Sequence, residues 1–141
     1  MTALVSVRAF VPEDMEAVID LLQHVSAYRP AAQTVPALAD AFAAHADCHA
    51  CVAVRGGRLV AFGSVFVLNR VRGGRSGIIE DVVVAPDVRG QGVGRLIVDA
   101  LVAAARARGC FKVSLEAAAL AQPFYAAGGF EAGGQTMRIL L

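Results

Sequence analysis

Apolar residues recur along this chain first at every second position and then at helical spacing, and the changes of rhythm mark its elements. Residues 4–10 predict a strand. Pro12 followed by Glu13, Asp14 and Glu16 marks a helix start with acids near the positive end of its dipole. Met15, Val18, Ile19, Leu22 and Val25 then keep helical spacing to about residue 28. A loop over 29–36 leads to a short alanine-rich helix over 38–46. The runs 51–54 and 59–68 flank Arg55-Gly56-Gly57-Arg58, the pattern of a β-hairpin.

A second turn over 70–75 precedes a β-branched run at 78–84 that ends before Pro86 and reads as the central strand. From 92 to 108 the positions Val93, Leu96, Ile97, Ala100, Leu101 and Ala104 fall on one helical face, and Arg106, Arg108 and Gly109 close that helix. A strand over 111–115, a helix over 117–127 interrupted near Pro123, and a last strand over 137–141 complete the chain. Several hairpin-linked strands followed by one strand–helix–strand crossover predict a mixed sheet in an α/β domain. The chemistry is expected at that crossover.

Composition narrows the class. With 141 residues, 57% of them hydrophobic and 18% charged, the chain suffices for one folded domain over 1–141 and is far from the composition of disorder. A formal net charge of +1 gives no global field for nucleic acid or an anionic membrane, so neither partner is expected and any anion site is local. The apolar stretch between Arg58 and Arg70 is too short to span a bilayer, and the first residues lack a basic leader. Together with an odd count of three cysteines, this points to reduced thiols and a cytoplasmic protein. His45, Cys48, His49 and Cys51 are close in sequence but have the wrong spacing to wrap a tetrahedral ion, so no metal is expected.

Arg89-Gly90-Gln91-Gly92-Val93-Gly94-Arg95 joins the central strand to the long helix. Glycines there let a ligand approach the backbone, and the first helix amides and the dipole favour an anion such as a pyrophosphate. Arg95-Leu96 fails the Walker pattern, and glycines spaced by two fail the dinucleotide fingerprint. Glu116, at the end of the next strand, nonetheless resembles the acid that binds a ribose, so a nucleotide-binding module stays open as an alternative.

Arg89-x-x-Gly92-x-Gly94 after Val82-Val83-Val84-Ala85-Pro86, together with Phe124-Tyr125-Ala126-Ala127-Gly128-Gly129-Phe130, resembles the GNAT superfamily of acetyl-CoA-dependent N-acetyltransferases. The resemblance implies a GNAT fold, with a mixed, mostly antiparallel sheet of six or seven strands flanked by about four helices. It implies acetyl-CoA as donor co-substrate, its pyrophosphate on Arg89, Gly90, Gln91, Gly92, Val93, Gly94 and Arg95 and its pantetheine arm along Val82, Val83 and Val84. Ile79-Glu80-Asp81-Val82-Val83-Val84, residues 109–113, Leu115-Glu116 and Phe124-Tyr125 are similar to the glucosamine 6-phosphate N-acetyltransferase branch, although Ala121 stands where that branch has Asn. That likeness implies that Glu116 holds an amino sugar, while another small amine or amino acid derivative is the alternative acceptor.

Acetyl transfer to a primary amine needs a neutral nucleophile, oxyanion stabilisation and a proton for the departing thiolate. Tyr125 is the candidate acid, because a phenol near pKa 10 lies close to a thiol near 8.5. Glu80 and Asp81 are candidate catalytic carboxylates, but as strand neighbours they face opposite sides unless a bulge intervenes. A bulge would also free a backbone amide near Val82 and Val83 for the oxyanion. Arg70, Arg72 and Arg75 form a local positive cluster that could receive a substrate phosphate, although such a turn is most often a solvated hairpin. Alanine-rich helices and an open sheet edge are compatible with a homodimer.

Overall fold

A computed structural model describes residues 4–141 as a five-stranded sheet with four α-helices. In chain order these are β1 (Val5–Ala9), α1 (Met15–Leu22), α2 (Val35–Ala43), β2 (Cys48–Arg55), β3 (Arg58–Asn69), β4 (Arg75–Val84), α3 (Val93–Ala107), β5 (Cys110–Leu115) and α4 (Gln122–Ala127). The sheet order is β1-β2-β3-β4-β5. The first four strands are antiparallel neighbours, and β4 pairs with β5 in parallel through the α3 crossover. The mixed α/β architecture follows the sequence reading, and helix α3 starts and ends within a residue of its expected limits.

Alternation along β3 sends its side chains to two layers. Phe62 and Phe66 meet Phe42 of α2, with ring centroids 6.3 and 6.4 Å apart, and Phe10 joins them at 5.9 Å from Phe62. Gly63 and Val65 face α3 on the other side. There Val93, Ile97, Leu101 and Ala105 recur every fourth residue and are at most 2% exposed. Each large aliphatic side chain so buried contributes about 1.5–3 kcal/mol. The start of the α1 layer is fixed by Asp14, whose carboxylate takes two hydrogen bonds from Arg8, at 2.7 and 2.8 Å, and one from the Val11 amide at 2.9 Å. These donors hold the Asp14 carboxyl below its ordinary pKa.

Four expectations need correction. The sheet has five strands, because residues 137–141 form no strand: Met137, Ile139, Leu140 and Leu141 are 81–115% exposed and pair with nothing among the described residues. An apolar segment becomes a strand only by pairing, and this one joins neither free edge of the sheet, β1 or β5. Helix α1 ends at Leu22 rather than near residue 28, where the Gln23 side chain donates to the carbonyls of Ile19 and Tyr28 and Val25 has already left the core. Helix α2 lies three residues earlier than expected, with Pro36 inside its first turn, where a missing amide costs nothing. The helix expected over 117–127 is only α4, preceded by a single 3-10 turn at Ala119–Ala121.

Candidate active site at the β4–α3 junction

β4 is paired on both sides only over its first half. Its parallel partners on β5 run from Arg75 to Ile79, with Ile79 opposite Leu115 as the last pair. From Glu80 to Val84 its only partner among the described residues is β3. The two parallel strands therefore part at the middle of the sheet and leave one edge of Val82–Val84 without a strand partner among the described residues. On the other edge the ladder with β3 slips: Ser64 lies opposite Glu80 and Phe62 opposite Val83, so Asp81 and Val82 share the single residue Gly63. This is a β-bulge. Asp81 takes it up with a left-handed φ of 56°, and the buried Ser64 hydroxyl donates to the Glu80 carbonyl at 3.0 Å. Gly63 is required here, since a Cβ at that position would stand 2.7 Å from Ile97 Cγ2 and 2.9 Å from Leu101 Cδ1.

The glycine-rich turn is anchored by Val88 and Val93, which are 0% and 2% exposed and flank it. Between them Gly90 and Gly92 have φ of 77° and 83°, and a Cβ on either would point into open space. Gly92 is the N-cap of α3 and offers no side-chain cap, so the first helix amides remain open to a ligand. The β2–β3 hairpin braces the turn from below. Arg58 pairs with Asp87 through two hydrogen bonds of 2.6 and 2.8 Å, and Arg55 donates to Gln91 at 2.7 Å. Arg58 holds the Asp87 carboxyl down at about 2. Arg89 bends back to donate to the Val84 carbonyl at 3.3 Å.

Helix α4 closes the open side of the wedge. Phe124 packs over Gly94 and Val84, where a Cβ on Gly94 would be 3.3 Å from the Phe124 ring. Tyr125 is half-buried between Phe124 and Phe130, with ring centroids at 5.0 and 5.7 Å, and burial raises its phenol pKa above 10.0. The Arg95 side chain leaves the glycine-rich turn and donates to the Phe124 carbonyl at 2.7 Å. Across the divergence, Glu80 is pushed above its ordinary pKa by partial burial and then by the nearby charges of Asp81 and Glu116. Three carboxylates therefore share one mouth of the wedge.

The arrangement combines an anion cradle at a helix start, a strand edge beside it that lacks a strand partner, a group of carboxylates, and Tyr125 next in chain to the Phe124 that packs on the helix start. Residues 15–130 match the Acetyltransferase (GNAT) family. The chain belongs to the GNAT family. Among curated relatives it is 41% identical over 85 residues to a glucosamine 6-phosphate N-acetyltransferase of Trypanosoma brucei brucei, 59% of this chain and 58% of that protein. It is 46% identical over 76 residues to glucosamine 6-phosphate N-acetyltransferase 1 of Oryza sativa subsp. japonica, 52% of this chain and 46% of that one. The match thus spans about half the length of these curated relatives. Among solved structures, a Trypanosoma brucei acetyltransferase superposes with a TM-score of 0.89 at 30% identity, covering 98% of this chain and 100% of the other. The Arabidopsis thaliana glucosamine-6-phosphate N-acetyltransferase shares the fold at a TM-score of 0.90 and 24% identity, covering 97% and 98%.

In this GNAT domain Glu80, Asp81 and Val82–Val84 lie on β4, the turn at 89–95 follows it into α3, Glu116 follows β5, and Tyr125 lies on α4 beside the Phe124 that packs on Gly94. The hairpin cluster of Arg70, Arg72 and Arg75 does not join them. It sits at the far end of β4, five residues or roughly 17 Å from Glu80 at the rise of an extended strand, farther than a phosphorylated hexosamine reaches. The His45–Cys51 cluster is also elsewhere: His45 stacks edge-on against Phe66 at 5.2 Å, and burial raises the Cys48 and Cys51 thiols to about 11. Among the described residues no group of His, Cys, Asp and Glu is arranged to hold a metal ion. Sequence reasoning missed Ser64, Gly63 and the brace formed by Arg55 and Arg58. Gly63 interrupting an apolar strand was the available signal for a close approach.

Proposed function

We propose that this protein transfers the acetyl group of acetyl-CoA to the primary amine of a small molecule, with glucosamine 6-phosphate as the first candidate. The observation that carries the reading is the open, uncapped helix start at Gly92 beside the unpaired half of β4. The fit of the donor rests on Gly90 and Gly92, whose α-carbons face open space that any side chain would fill. The amides of residues 90–95 hold the diphosphate, and the amide-bearing arm lies along the open edge of Val82, Val83 and Val84 as an added strand, taking the place of Arg89 at the Val84 carbonyl.

Glu80, with its raised pKa, takes a proton from the incoming ammonium, directly or through water, and Asp81 and Glu116 attract and orient that cation. The neutral amine forms the new N–C bond to the thioester carbon as the C–S bond breaks, and the second proton that this leaves on the nitrogen passes through solvent and restores the Tyr125 phenol. A backbone amide freed by the bulge near Val82 or Val83 faces the oxygen that carries the developing charge. Tyr125 gives its phenolic proton to the leaving thiolate. A non-catalytic nucleotide-binding module is not favoured: the turn follows the fourth strand of the sheet, not the first, and the chain's relatives are acetyltransferases.

The test is thiol release from acetyl-CoA with a panel of amines. Turnover with glucosamine 6-phosphate well above that with glucosamine and with amino acids is expected. Turnover confined to a different amine removes the sugar assignment, and CoA binding without turnover of any amine removes the enzyme reading. We also infer a homodimer in the cytoplasm. Met137, Ile139, Leu140 and Leu141 present a run of large apolar side chains at 81–115% exposure that a second copy would cover. A solution mass by light scattering of about twice 14.6 kDa is expected, and a monomer at micromolar concentration contradicts it. No helix among the described residues is long and apolar enough to cross a membrane.

A further inference from the structure

Arg95 is the fourth residue counting from the N-cap of α3, yet its guanidinium is spent on another element. Nη2 donates to the Phe124 carbonyl at 2.7 Å, and the guanidinium carbon lies 4.6 Å from the centre of the Phe124 ring. Nη1 is buried against Gly128 with no hydrogen-bond partner among the described residues. A Cβ at Gly128 would stand 1.9 Å from Nη1, so glycine at 128 is what admits the arginine. The Phe124 carbonyl belongs to the last turn of α4. The amides that follow go elsewhere: Gly128 and Phe130 both donate to the Tyr125 carbonyl, and Gly129 donates to Ala126. Arg95 therefore caps the C-terminal end of α4 from outside, with positive charge at the negative end of the helix and a cation stacked on its aromatic.

α4 is six residues long and none of them is fully buried, so its own hydrogen bonds and the half-burial of Tyr125 do little to fix its orientation. Its fixed points are Phe124 on Gly94 and Val84, and Arg95 on the Phe124 carbonyl. The residue immediately after that carbonyl is Tyr125. We propose that Arg95 is a positioning residue: by clamping the end of α4 to the first turn of α3, it sets the Tyr125 phenol relative to the donor held on that same turn. This rests on the reading of Tyr125 as the acid.

The experiment compares Arg95→Met, which keeps an unbranched apolar stem but has no donor, with Arg95→Lys, which keeps a donor and the charge, and with Tyr125→Phe and the double variant Arg95→Met/Tyr125→Phe. Arg95→Met is expected to lower kcat at least about tenfold with KM for acetyl-CoA within about twofold, and Arg95→Lys to recover part of the loss. The double variant is expected to be no slower than Tyr125→Phe alone, since Arg95 acts through the phenol. Losses that multiply in the double variant, a fall in kcat that Arg95→Lys does not relieve, or an unchanged kcat in Arg95→Met overturn the proposal while the acid reading stands. A Tyr125→Phe variant with wild-type kcat overturns the acid reading, and the positioning role with it.

Discussion

Tyr125→Phe is expected to lower kcat by about 10²-fold and to leave the affinity for acetyl-CoA nearly unchanged, the size usual for loss of a general acid. Removing one hydroxyl leaves the ring between Phe124 and Phe130, so the pocket keeps its shape. The pH profile separates this role from a packing role. Glu80 must be deprotonated to accept a proton, and burial with Asp81 and Glu116 nearby raises its pKa, so the rising limb lies above the ordinary 4.5. Tyr125 must be protonated to give one up, and burial raises it above 10.0, so the enzyme stays in its active form to beyond that pH. In the phenylalanine variant the high-pH limb due to Tyr125 disappears while the Glu80 limb stays. Steady-state rates across pH in both proteins check this, and a phenylalanine variant with wild-type kcat contradicts it.

Gly92→Val is expected to weaken CoA binding at least about 100-fold with the fold intact. Two effects combine. A β-branched residue at φ 83° is strained by about 1–3 kcal/mol, and its side chain occupies the space in front of the helix amides. Gly109→Val is the control, because it has the same backbone demand at φ 79°, also opens onto free space, and lies at the other end of α3. Calorimetric titration with CoA is expected to show binding in the control close to wild type and none in Gly92→Val. Equal losses in both variants would mean that strain alone explains the effect.

Much of this site is legible in the letters because its parts are local. A glycine turn between a β-branched strand and an amphipathic helix marks a candidate anion cradle, and Phe124-Tyr125 with Gly128-Gly129-Phe130 places an aromatic near a helix end. What stays hidden depends on partners distant in sequence. Alternation puts Glu80 and Asp81 on opposite faces, and only the register of β3 against β4 shows that Gly63 faces two residues and turns Asp81 into the left-handed region. The brace from Arg55 and Arg58 joins residues about 30 positions apart, as does the clamp from Arg95 to Phe124. The last strand is a different case. Residues 137–141 have the composition of a strand yet join neither the outer edge of β1 nor that of β5, so propensity without pairing makes no strand.

Donor binding by this protein requires the diphosphate of CoA to rest on the amides between the end of β4 and the start of α3. A crystal structure with acetyl-CoA bound tests this directly. The diphosphate oxygens are predicted to lie within hydrogen-bond distance of several amides among residues 90–95, with the pantetheine arm along Val82–Val84. A donor bound elsewhere, with those amides turned to solvent, contradicts it.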